Sequence, residues 1–353
     1  MTTNQPFIQL GEAESPYFLG VDVGGTNIKI GLVDNGGRTL AFQEIDTLEP
    51  SGPQAAIARM AETCKSLCEA VGLDFARVGR IGLGTPGSMD IARGLLVEPP
   101  NHPHWHHFPI RDALEKATGH KVSFINDANA AAFGEFWIGT GEKHPSMVLL
   151  TLGTGVGGGI IVDGHLINGV NSFGSECGHV IVDSSPTARL CVWGGGRGHL
   201  EAYASASAVA AITLEKLQAG TASSLQNLYK AGEKISARRV YEAAEGGDTL
   251  ALEIIDSTAT YLAIGITTMV HMVDPGLVVL GGAMDFGGHE SPVGTRFLNR
   301  IRSEFKELTF SNVAAGTTID FATLGGDAGY LGAAGIARDD HLKRDEHLKL
   351  GQR

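Results

Sequence analysis

The spacing of apolar and polar residues predicts an alternation of short strands and amphipathic helices along most of this chain. Strands are predicted at residues 17–33 (a hairpin), 40–45, 78–83, 122–125, 148–162 (a second hairpin) and 277–280. Helices are predicted at residues 54–71, 110–118, 126–137, 206–219, 237–245, 249–272 and 330–350. Strands that alternate with helices in two successive halves are typical of α/β lobes around a cleft. The predicted fold class is therefore α/β with two lobes.

A glycine-rich hairpin occurs twice, once near residue 24 and once near residue 154. The two turns read Asp22-Val-Gly24-Gly25-Thr26-Asn-Ile-Lys29 and Gly153-Thr154-Gly155-Val-Gly-Gly-Gly. Because glycine has no Cβ, the backbone N–H groups of such a turn can approach a bulky anion. Two facing turns would hold a polyphosphate, and a carboxylate at a strand end, such as Asp22, suits its Mg²⁺. The pattern predicts an ATP-dependent phosphotransferase.

Two strings match the dinucleotide-binding pattern, but only as letters. They are Gly153-x-Gly155-x-x-Gly158 and Gly82-x-Gly84-x-x-Gly87. That pattern binds a pyrophosphate only when a helix begins directly after the turn. The first string leads into a predicted strand and the second into residues without helical spacing, so a dinucleotide site is rejected. The sequence also contains no P-loop string.

The acidic composition restricts the partners of the protein. Thirty-nine Asp and Glu residues against 27 Lys and Arg residues give a net charge of −12, which disfavours nucleic acid and anionic membranes. The first 15 residues are polar, and no apolar stretch approaches the ~18 residues of a membrane span. A soluble, cytoplasmic protein is predicted. The four cysteines include Cys64 and Cys68 on a predicted helix, where buried thiols are favoured over a metal pair.

Two polar clusters are candidates for chemistry. Asn126 and Asp127 follow a predicted strand and open a helix, where Asp127 could either cap the helix or accept a proton from an attacking hydroxyl. Glu176, His179 and Glu201 lie near glycine turns, where fixed donors and acceptors suit a polyol. Surface glutamates and a structural histidine are the alternative interpretation of this second cluster.

Together these motifs resemble the ROK family of sugar kinases and related repressors, in particular its bacterial glucokinase-like members. The resemblance covers residues 17–337, and it rests on Asp22-Val-Gly-Gly-Thr, Gly84-Thr-Pro-Gly, Asn126-Asp127-Ala-Asn-Ala-Ala, Gly153-Thr-Gly-Val-Gly-Gly-Gly, Glu176-x-Gly-His179, Leu280-Gly-Gly and Leu324-Gly-Gly-Asp-Ala-Gly. It implies the two-lobed, actin-like ATPase fold with a central cleft. It divides the chain into a small lobe of residues 1–126, joined by the C-terminal helix at 330–353, and a large lobe of residues 127–329.

The resemblance also implies roles for individual residues. Asp127 would be the general base that accepts the proton of the attacking sugar hydroxyl, and Asp22 would help to place Mg²⁺. The implied sugar-binding residues are Asn101, Asn126, Glu176, His179 and Glu201. The implied nucleotide-binding residues are Gly24, Gly25, Thr26, Gly153, Thr154 and Gly155 at the phosphates, with Lys29 approaching them, and Gly281 and Gly282 at the adenosine. ATP and Mg²⁺ are the implied cofactors.

One motif departs from the family pattern. The family commonly carries a zinc motif, Cys-x-Cys-Gly-x-x-Gly-Cys, before the glutamate that matches Glu201, whereas this chain has Cys191-Val-Trp193-Gly-Gly-Gly-Arg-Gly-His199-Leu-Glu201. Structural zinc takes four ligands, so no bound metal is predicted, and Trp193 is expected to pack in its place. The residues that could form another ligand set are His179, His199, Cys191 and Cys177. The histidine-rich residues 102–107 are predicted to form a solvated loop.

The expected activity is transfer of a phosphoryl group from ATP to the 6-hydroxyl of a hexose, with glucose as the acceptor, by a homodimer. Other hexoses or N-acetylhexosamines, among them N-acetylmannosamine, fructose and allose, remain open as acceptors, and polyphosphate remains open as a donor. A sugar-sensing repressor of the same family is a rival. Those members carry a DNA-binding domain before the first hairpin, and only 16 residues precede Tyr17 here. An ATPase of the same superfold that does not act on sugars would leave Glu176, His179 and Glu201 unexplained.

Overall fold

The computed structural model describes residues 6–99, 102–192 and 195–350. Its strands are β1 (Tyr17–Val23), β2 (Asn27–Val33), β3 (Thr39–Asp46), β4 (Val78–Thr85), β5 (Met89–Asp90), β6 (Leu95–Leu96), β7 (Val122–Asn126), β8 (Met147–Leu152), β9 (Val156–Val162), β10 (His165–Leu166), β11 (Leu277–Gly281) and β12 (Thr318–Phe321). Its helices are α1 (Pro53–Ala70), α2 (Ile110–Thr118), α3 (Asp127–Ile138), α4 (Glu201–Ala204), α5 (Ala206–Gln218), α6 (Gln226–Lys230), α7 (Ala237–Glu245), α8 (Thr249–Val273), α9 (Pro292–Leu308), α10 (Ser311–Gly316) and α11 (Ala328–Leu350). Every strand and helix predicted from the sequence is confirmed, with ends that differ by a few residues.

The chain divides into two compact units. Unit 1 contains the described residues of Met1–Glu142, Leu166–Gly174 and Thr323–Arg353. Its sheet has the order β3-β2-β1-β4-β7, in which β1, β2 and β3 form an antiparallel meander and β4 and β7 run parallel to β1. One core cluster joins this sheet to α1 and α2, and α11 packs against the strands and against α3. Gly20 and Gly82 permit this approach, because a Cβ at either position would clash with a carbonyl of α11.

Unit 2 contains the described residues of Lys143–His165 and Ser175–Ala322. Its sheet has the order β10-β9-β8-β11-β12, in which β8 and β9 are antiparallel and β11 and β12 run parallel to β8. In both sheets an antiparallel hairpin is followed by two strands that run parallel to its first strand. One large core cluster joins this sheet to the helices of the unit.

The longest helix of unit 2, α8, has the length and composition to cross a membrane, with a mean hydropathy of 1.3. The sequence pattern predicted no such stretch. Leu262, Ala263 and Ile266 on this helix are completely buried within the unit, and α8 packs against α9. A helix surrounded by a protein core is apolar on most of its surface because its side chains are kept from water, as they are in a membrane span. The burial of its side chains indicates that α8 is a core helix of unit 2.

The unit boundaries differ from the predicted lobes. The prediction started the second lobe at Asp127, whereas α3 lies in unit 1 because it packs tightly against α11. Gly134 and Gly332 sit where these helices touch, and a Cβ on either would meet backbone of the other helix. Residues 166–174 and 323–329 also belong to unit 1.

Candidate active site

The turn of the first hairpin lies between β1 and β2 in unit 1. Gly24 N–H donates to the Asn27 carbonyl at 2.9 Å, and Thr47 occupies two carbonyls of the turn, with N–H to Thr26 at 2.7 Å and Oγ1 to Gly24 at 2.8 Å. Gly25 and Thr26 are exposed. The turn is therefore held by its carbonyl groups and presents its glycine backbone to solvent, as an anion site requires.

Asp22 is the residue before the last of β1, beside this turn and directly opposite Lys29 on β2. Desolvation, and after it the charge of the nearby Asp127, raises the pKa of Asp22 from 3.8 to about 7, although Lys29 acts to lower it. A Cβ at Gly329, in the first turn of α11, would clash with the Asp22 carboxylate, so the carboxylate lies against the start of that helix. A carboxylate held at this position suits a hard cation such as Mg²⁺, the role that the sequence predicts for Asp22.

Lys29 contacts a backbone carbonyl of a distant segment, although it lies opposite the Asp22 carboxylate in the sheet. Its Nζ donates to the Gly326 carbonyl at 2.6 Å, in the glycine-rich segment that precedes α11. The cation therefore links the first hairpin to the start of α11, next to the expected phosphate site. The prediction that it approaches the phosphates stays a prediction.

Asn126 and Asp127 form the junction between β7 and α3. Asn126 caps the helix, because its Oδ1 accepts from the N–H groups of Ala128 at 2.9 Å and Asn129 at 3.3 Å. Asp127 Oδ1 also accepts from Ala128 N–H, at 2.8 Å. Asn126 is therefore the N-cap residue of α3, the role that was the alternative interpretation of Asp127. Since the Asn126 oxygen is engaged in the cap, its amide Nδ2 is the group left for a sugar hydroxyl.

The turn of the second hairpin lies between β8 and β9 in unit 2. Gly153 N–H donates to the Gly155 carbonyl at 3.0 Å, and Ala206 N–H donates to the Gly153 carbonyl at 2.8 Å. Ser207 Oγ donates to the Thr154 carbonyl at 2.8 Å. As in the first hairpin, carbonyls of the turn are held by a neighbouring segment, here the start of α5, and the exposed Thr154 lies at the tip.

Glu201 is the first residue of α4 and is only 7% exposed. Its Oε2 accepts from Val156 N–H at 2.8 Å, and its Oε1 accepts from the Cys191 thiol at 3.3 Å. A Cβ at Gly155 would clash with the carboxylate. Glu201 therefore supports the glycine turn of the second hairpin, a role that the sequence did not predict beside its expected contact with sugar.

Glu176 and His179 lie on one short turn of unit 2. His179 Nδ1 is 2.9 Å from His199 Nδ1, and its Nε2 is 3.9 Å from Glu176 Oε2. Desolvation raises the pKa of Glu176, His179 lowers it and Glu201 raises it, although the Glu176 side chain remains 47% exposed. Of the three expected sugar ligands in this unit, Glu176 is the most accessible.

Of the two glycines expected beside adenosine, Gly281 is the last residue of β11 and Gly282 follows it. Gly282 has a φ of +92° and is exposed, and a Cβ there would clash with the Leu152 backbone. Glycine at this position therefore allows β11 to end directly against β8. Asn101, Trp193 and Gly194 lie outside the described residues.

The prediction of a solvated loop at residues 102–107 is wrong for two side chains. His102 and Trp105 are each 1% exposed, and their rings are 4.8 Å apart. His102 Nε2 lies 3.3 Å from the Gly24 carbonyl, and burial lowers its pKa. His102 thus connects this loop to the glycine turn of the first hairpin. The sequence held no signal for the contact, because the two residues are 78 positions apart.

Comparisons with known proteins agree with this geometry. The sequence profile of the ROK family matches residues 18–340. The chain is 36% identical to the glucokinase of Thermotoga maritima, over 91% of this chain and 97% of that protein.

Two solved structures are also similar. The ROK hexokinase from Thermus thermophilus has 31% identity and a TM-score of 0.78, covering 93% of this chain and 99% of that one. The ROK family glucokinase from Streptomyces griseus, solved in complex with glucose and AMPPNP, has 31% identity and a TM-score of 0.72, covering 92% and 99%. The predicted actin-like ATPase fold is confirmed. With its profile match, its repeated sheet and its paired glycine turns, the chain belongs to the ROK family.

Proposed function

We propose that this protein is an ATP-dependent glucose kinase that transfers the γ-phosphoryl group of ATP to the 6-hydroxyl of the sugar. The observation that carries the proposal is the position of Asp127. Its neighbour Asn126 caps α3, and Asp127 lies close enough to Asp22 for their charges to interact. Such a carboxylate beside a cation site suits a base for an attacking hydroxyl. The similarity to glucokinases, one of them solved with glucose and an ATP analogue, supports the substrates.

In this proposal Asp127 accepts the proton of the 6-hydroxyl as it attacks phosphorus. The other sugar hydroxyls are held by Asn101, Asn126, Glu176, His179 and Glu201. Gly24 to Thr26 and Gly153 to Gly155 bind the phosphates through backbone N–H groups, and Gly281 and Gly282 border the adenosine. Mg²⁺, held with the help of Asp22, supplies charge neutralisation for the phosphates when bound. Positioning and charge neutralisation provide most of the acceleration, and the base contributes a further ~10²–10⁴-fold.

The homodimer, the cytoplasmic location and the absence of nucleic-acid partners remain part of the proposal. The net charge of −12 supports the last of these. Light scattering coupled to gel filtration measures the oligomeric state, and a mass of about twice 37.0 kDa is the expected result.

The test of the function is product formation by the purified protein with Mg²⁺ and a panel of hexoses and N-acetylhexosamines, using ATP or polyphosphate as donor. The expected result is glucose 6-phosphate made from ATP, with the highest kcat/KM for glucose. A preference for an N-acetylhexosamine would redirect the proposal to another kinase of the family. Sugar binding without turnover would favour the sensor instead.

A further inference from the structure

A completely buried carboxylate lies in unit 1, outside the set of site residues described above. Glu135 is in the last turn of α3 and is 0% exposed. A buried carboxylate costs free energy unless hydrogen bonds replace its hydration, and in the last turn of a helix it also faces the negative end of the helix dipole. Packing alone would therefore favour an apolar residue at this position.

Four hydrogen-bond donors surround this carboxylate. Its Oε1 accepts from the N–H groups of Thr323 at 3.0 Å and Leu324 at 2.7 Å. Its Oε2 accepts from Thr140 N–H at 2.9 Å and from Thr323 Oγ1 at 3.2 Å. A carboxylate offers two acceptor oxygens, whereas an amide would turn an NH₂ group towards one pair of these donors. The four contacts therefore favour glutamate over glutamine at residue 135.

The backbone next to Glu135 is shaped for these contacts. The helix α3 ends at Ile138, and Gly141 N–H donates to the Glu135 carbonyl at 2.7 Å, so the chain turns back over the side chain. A Cβ at Gly139 would clash with Glu135 Oε2. A residue without a side chain at position 139 thus leaves room for the carboxylate to reach Thr140 N–H.

The segment bound by Glu135 leads directly to Lys29. Leu324 precedes a single turn of 3-10 helix, Gly325–Asp327. Within that turn, the Gly326 carbonyl accepts from Lys29 Nζ at 2.6 Å. The ammonium group of the first hairpin is therefore bound by a segment whose own N–H groups are bound by Glu135.

The helix that carries Glu135 also carries the candidate base. Asp127 is the first residue of α3, and Glu135 lies roughly 12 Å further along the helix at 1.5 Å per residue. The helix packs closely against α11, because a Cβ at Gly134 or Gly332 would meet backbone of the other helix. Glu135 therefore connects a tightly packed helix, with the candidate base at its start, to the segment that binds Lys29.

We propose that Glu135 is a positioning residue for phosphoryl transfer, which fixes the Lys29 ammonium group through Leu324 and the Gly326 carbonyl. A cation beside the phosphates neutralises their charge, so a displaced Lys29 weakens nucleotide binding and leaves glucose binding unchanged. The effect on nucleotide rests on the proposed function, whereas the contact of Glu135 with residues 323–324 stands on the hydrogen bonds alone.

The first test uses the ligand-free protein. Hydrogen exchange is followed by mass spectrometry for peptides that cover residues 323–329. Glu135→Ala removes all four acceptor contacts, and we expect exchange in this segment to become about 10-fold faster, with peptides of α1 unchanged. Glu135→Gln keeps the size of the side chain and should give a smaller increase in the same direction. Exchange that equals wild type in both folded variants would show that Glu135 does not hold the segment.

The second test measures nucleotide and sugar binding separately in Glu135→Gln. Calorimetry gives the affinities for AMPPNP with Mg²⁺ and for glucose, and steady-state kinetics give the KM for ATP. Because Lys29 is displaced, we expect AMPPNP affinity to fall about 3–10-fold and the KM for ATP to rise by a similar factor. Glucose affinity should change by less than about 2-fold. Unchanged AMPPNP affinity, or an equal loss for AMPPNP and glucose, would overturn the proposal.

Two control variants distinguish positioning from a general loss of stability. Thr323→Val removes one hydroxyl contact and keeps the N–H donors of the carboxylate, so AMPPNP affinity should change by less than about 2-fold. Leu67→Ala truncates a buried side chain of α1, which should lower the melting temperature and leave AMPPNP affinity unchanged. If Leu67→Ala weakens AMPPNP binding as much as Glu135→Gln does, Glu135 acts through stability and the proposal fails.

A double variant tests whether Glu135 acts through Lys29. Lys29→Met alone should weaken AMPPNP binding, and the addition of Glu135→Gln should weaken it by less than about 2-fold more. Two effects that multiply independently would contradict the connection. If the wild-type protein binds neither AMPPNP nor glucose, the proposed function fails, and the exchange measurement still decides whether Glu135 holds residues 323–324.

Discussion

The two glycine hairpins have the same backbone plan and different charges. Each connects two antiparallel strands at the centre of a five-stranded sheet, and each turn is held by its carbonyl groups. The last strand pairs are Val23 with Ile28 and Leu152 with Val156. One residue before them, the first hairpin has Asp22 and the second has Thr151.

The source of negative charge therefore differs between the halves. In unit 1 the carboxylate belongs to the hairpin itself, whereas in unit 2 Glu201 is supplied by α4 and reaches the turn through Val156 N–H. The repeat specifies strands and backbone donors, and the chemistry is added by residues that are not repeated. The same fold can support different reactions for this reason.

Removing the carboxylate of the first hairpin should produce the largest difference in kcat between variants of the two hairpins. For Asp22→Ala we expect kcat to fall about 10²–10³-fold, because a carboxylate beside the cation site is lost. Thr151→Val, at the matching position of the second hairpin, should change kcat by less than about 3-fold. Steady-state kinetics at saturating Mg²⁺ measure both. Equal losses in the two variants would show that the hairpins contribute alike.

The raised pKa of Asp22 predicts a pH-dependent stability of the ligand-free protein. The unfolded chain releases this proton near pH 4, while the folded chain keeps it until about pH 7, so stability from this group falls between those values. The full penalty would be ~4 kcal/mol. Since the side chain is partly exposed, we expect about 2 kcal/mol.

Asp22→Asn isolates this effect from all other titrating groups. Relative to wild type, the variant should gain about 1 kcal/mol of unfolding free energy between pH 5 and pH 8, because this interval covers roughly 60% of the full effect. Denaturant unfolding at the two pH values measures the gain. If the unfolding free energies of the two proteins differ by the same amount at both pH values, the pKa of Asp22 is not raised in the folded chain.

Substitutions of two glycines in the second turn distinguish the effect of displacing Glu201 from the effect of losing a flexible glycine. A Cβ at Gly155 clashes with the Glu201 carboxylate, whereas a Cβ at Gly153 has nothing within 4 Å. Gly155→Ala should therefore displace Glu201 and raise the KM for glucose about 10-fold. Gly153→Ala, in the same turn, should alter it by less than about 2-fold. If the two variants behave alike, Glu201 does not brace this turn in the working enzyme.

The smallest expected effect concerns His102, which has no counterpart identified at the second hairpin among the described residues. His102→Phe removes the contact with the Gly24 carbonyl and keeps a buried ring beside Trp105. We expect the KM for ATP to rise about 3-fold with little change in kcat. A change in kcat alone would indicate that this contact acts on the reaction step and not on the position of the turn.

Local patterns predicted the parts of this molecule that are local in sequence. The hairpins, the Asn126 cap and most helices follow from residue spacing, because their hydrogen bonds join neighbouring residues. The helix α9 was not predicted, although Ser291 accepts from Val293 N–H at 3.0 Å and Pro292 begins the helix. A serine cap followed by proline is a start signal that could have revealed it.

The contacts that assemble the site join distant residues and could not be predicted. Glu201 and Val156 are 45 positions apart, and His102 and Gly24 are 78 positions apart. No spacing rule connects such pairs, because tertiary packing alone brings them together. The resemblance to sugar kinases predicted Glu201 as a sugar ligand, but its hydrogen bond to Val156 beside the second glycine turn became visible only in the folded chain.

The most direct measurement compares wild type with Asp127→Asn, which keeps the size of the side chain and removes its basicity. Glucose 6-phosphate formation gives kcat, and calorimetry gives glucose affinity. If Asp127 is the base, kcat falls about 10²–10⁴-fold while glucose affinity stays within about 3-fold. Turnover near the wild-type rate with unchanged glucose affinity would contradict the role of Asp127 and with it the proposed mechanism.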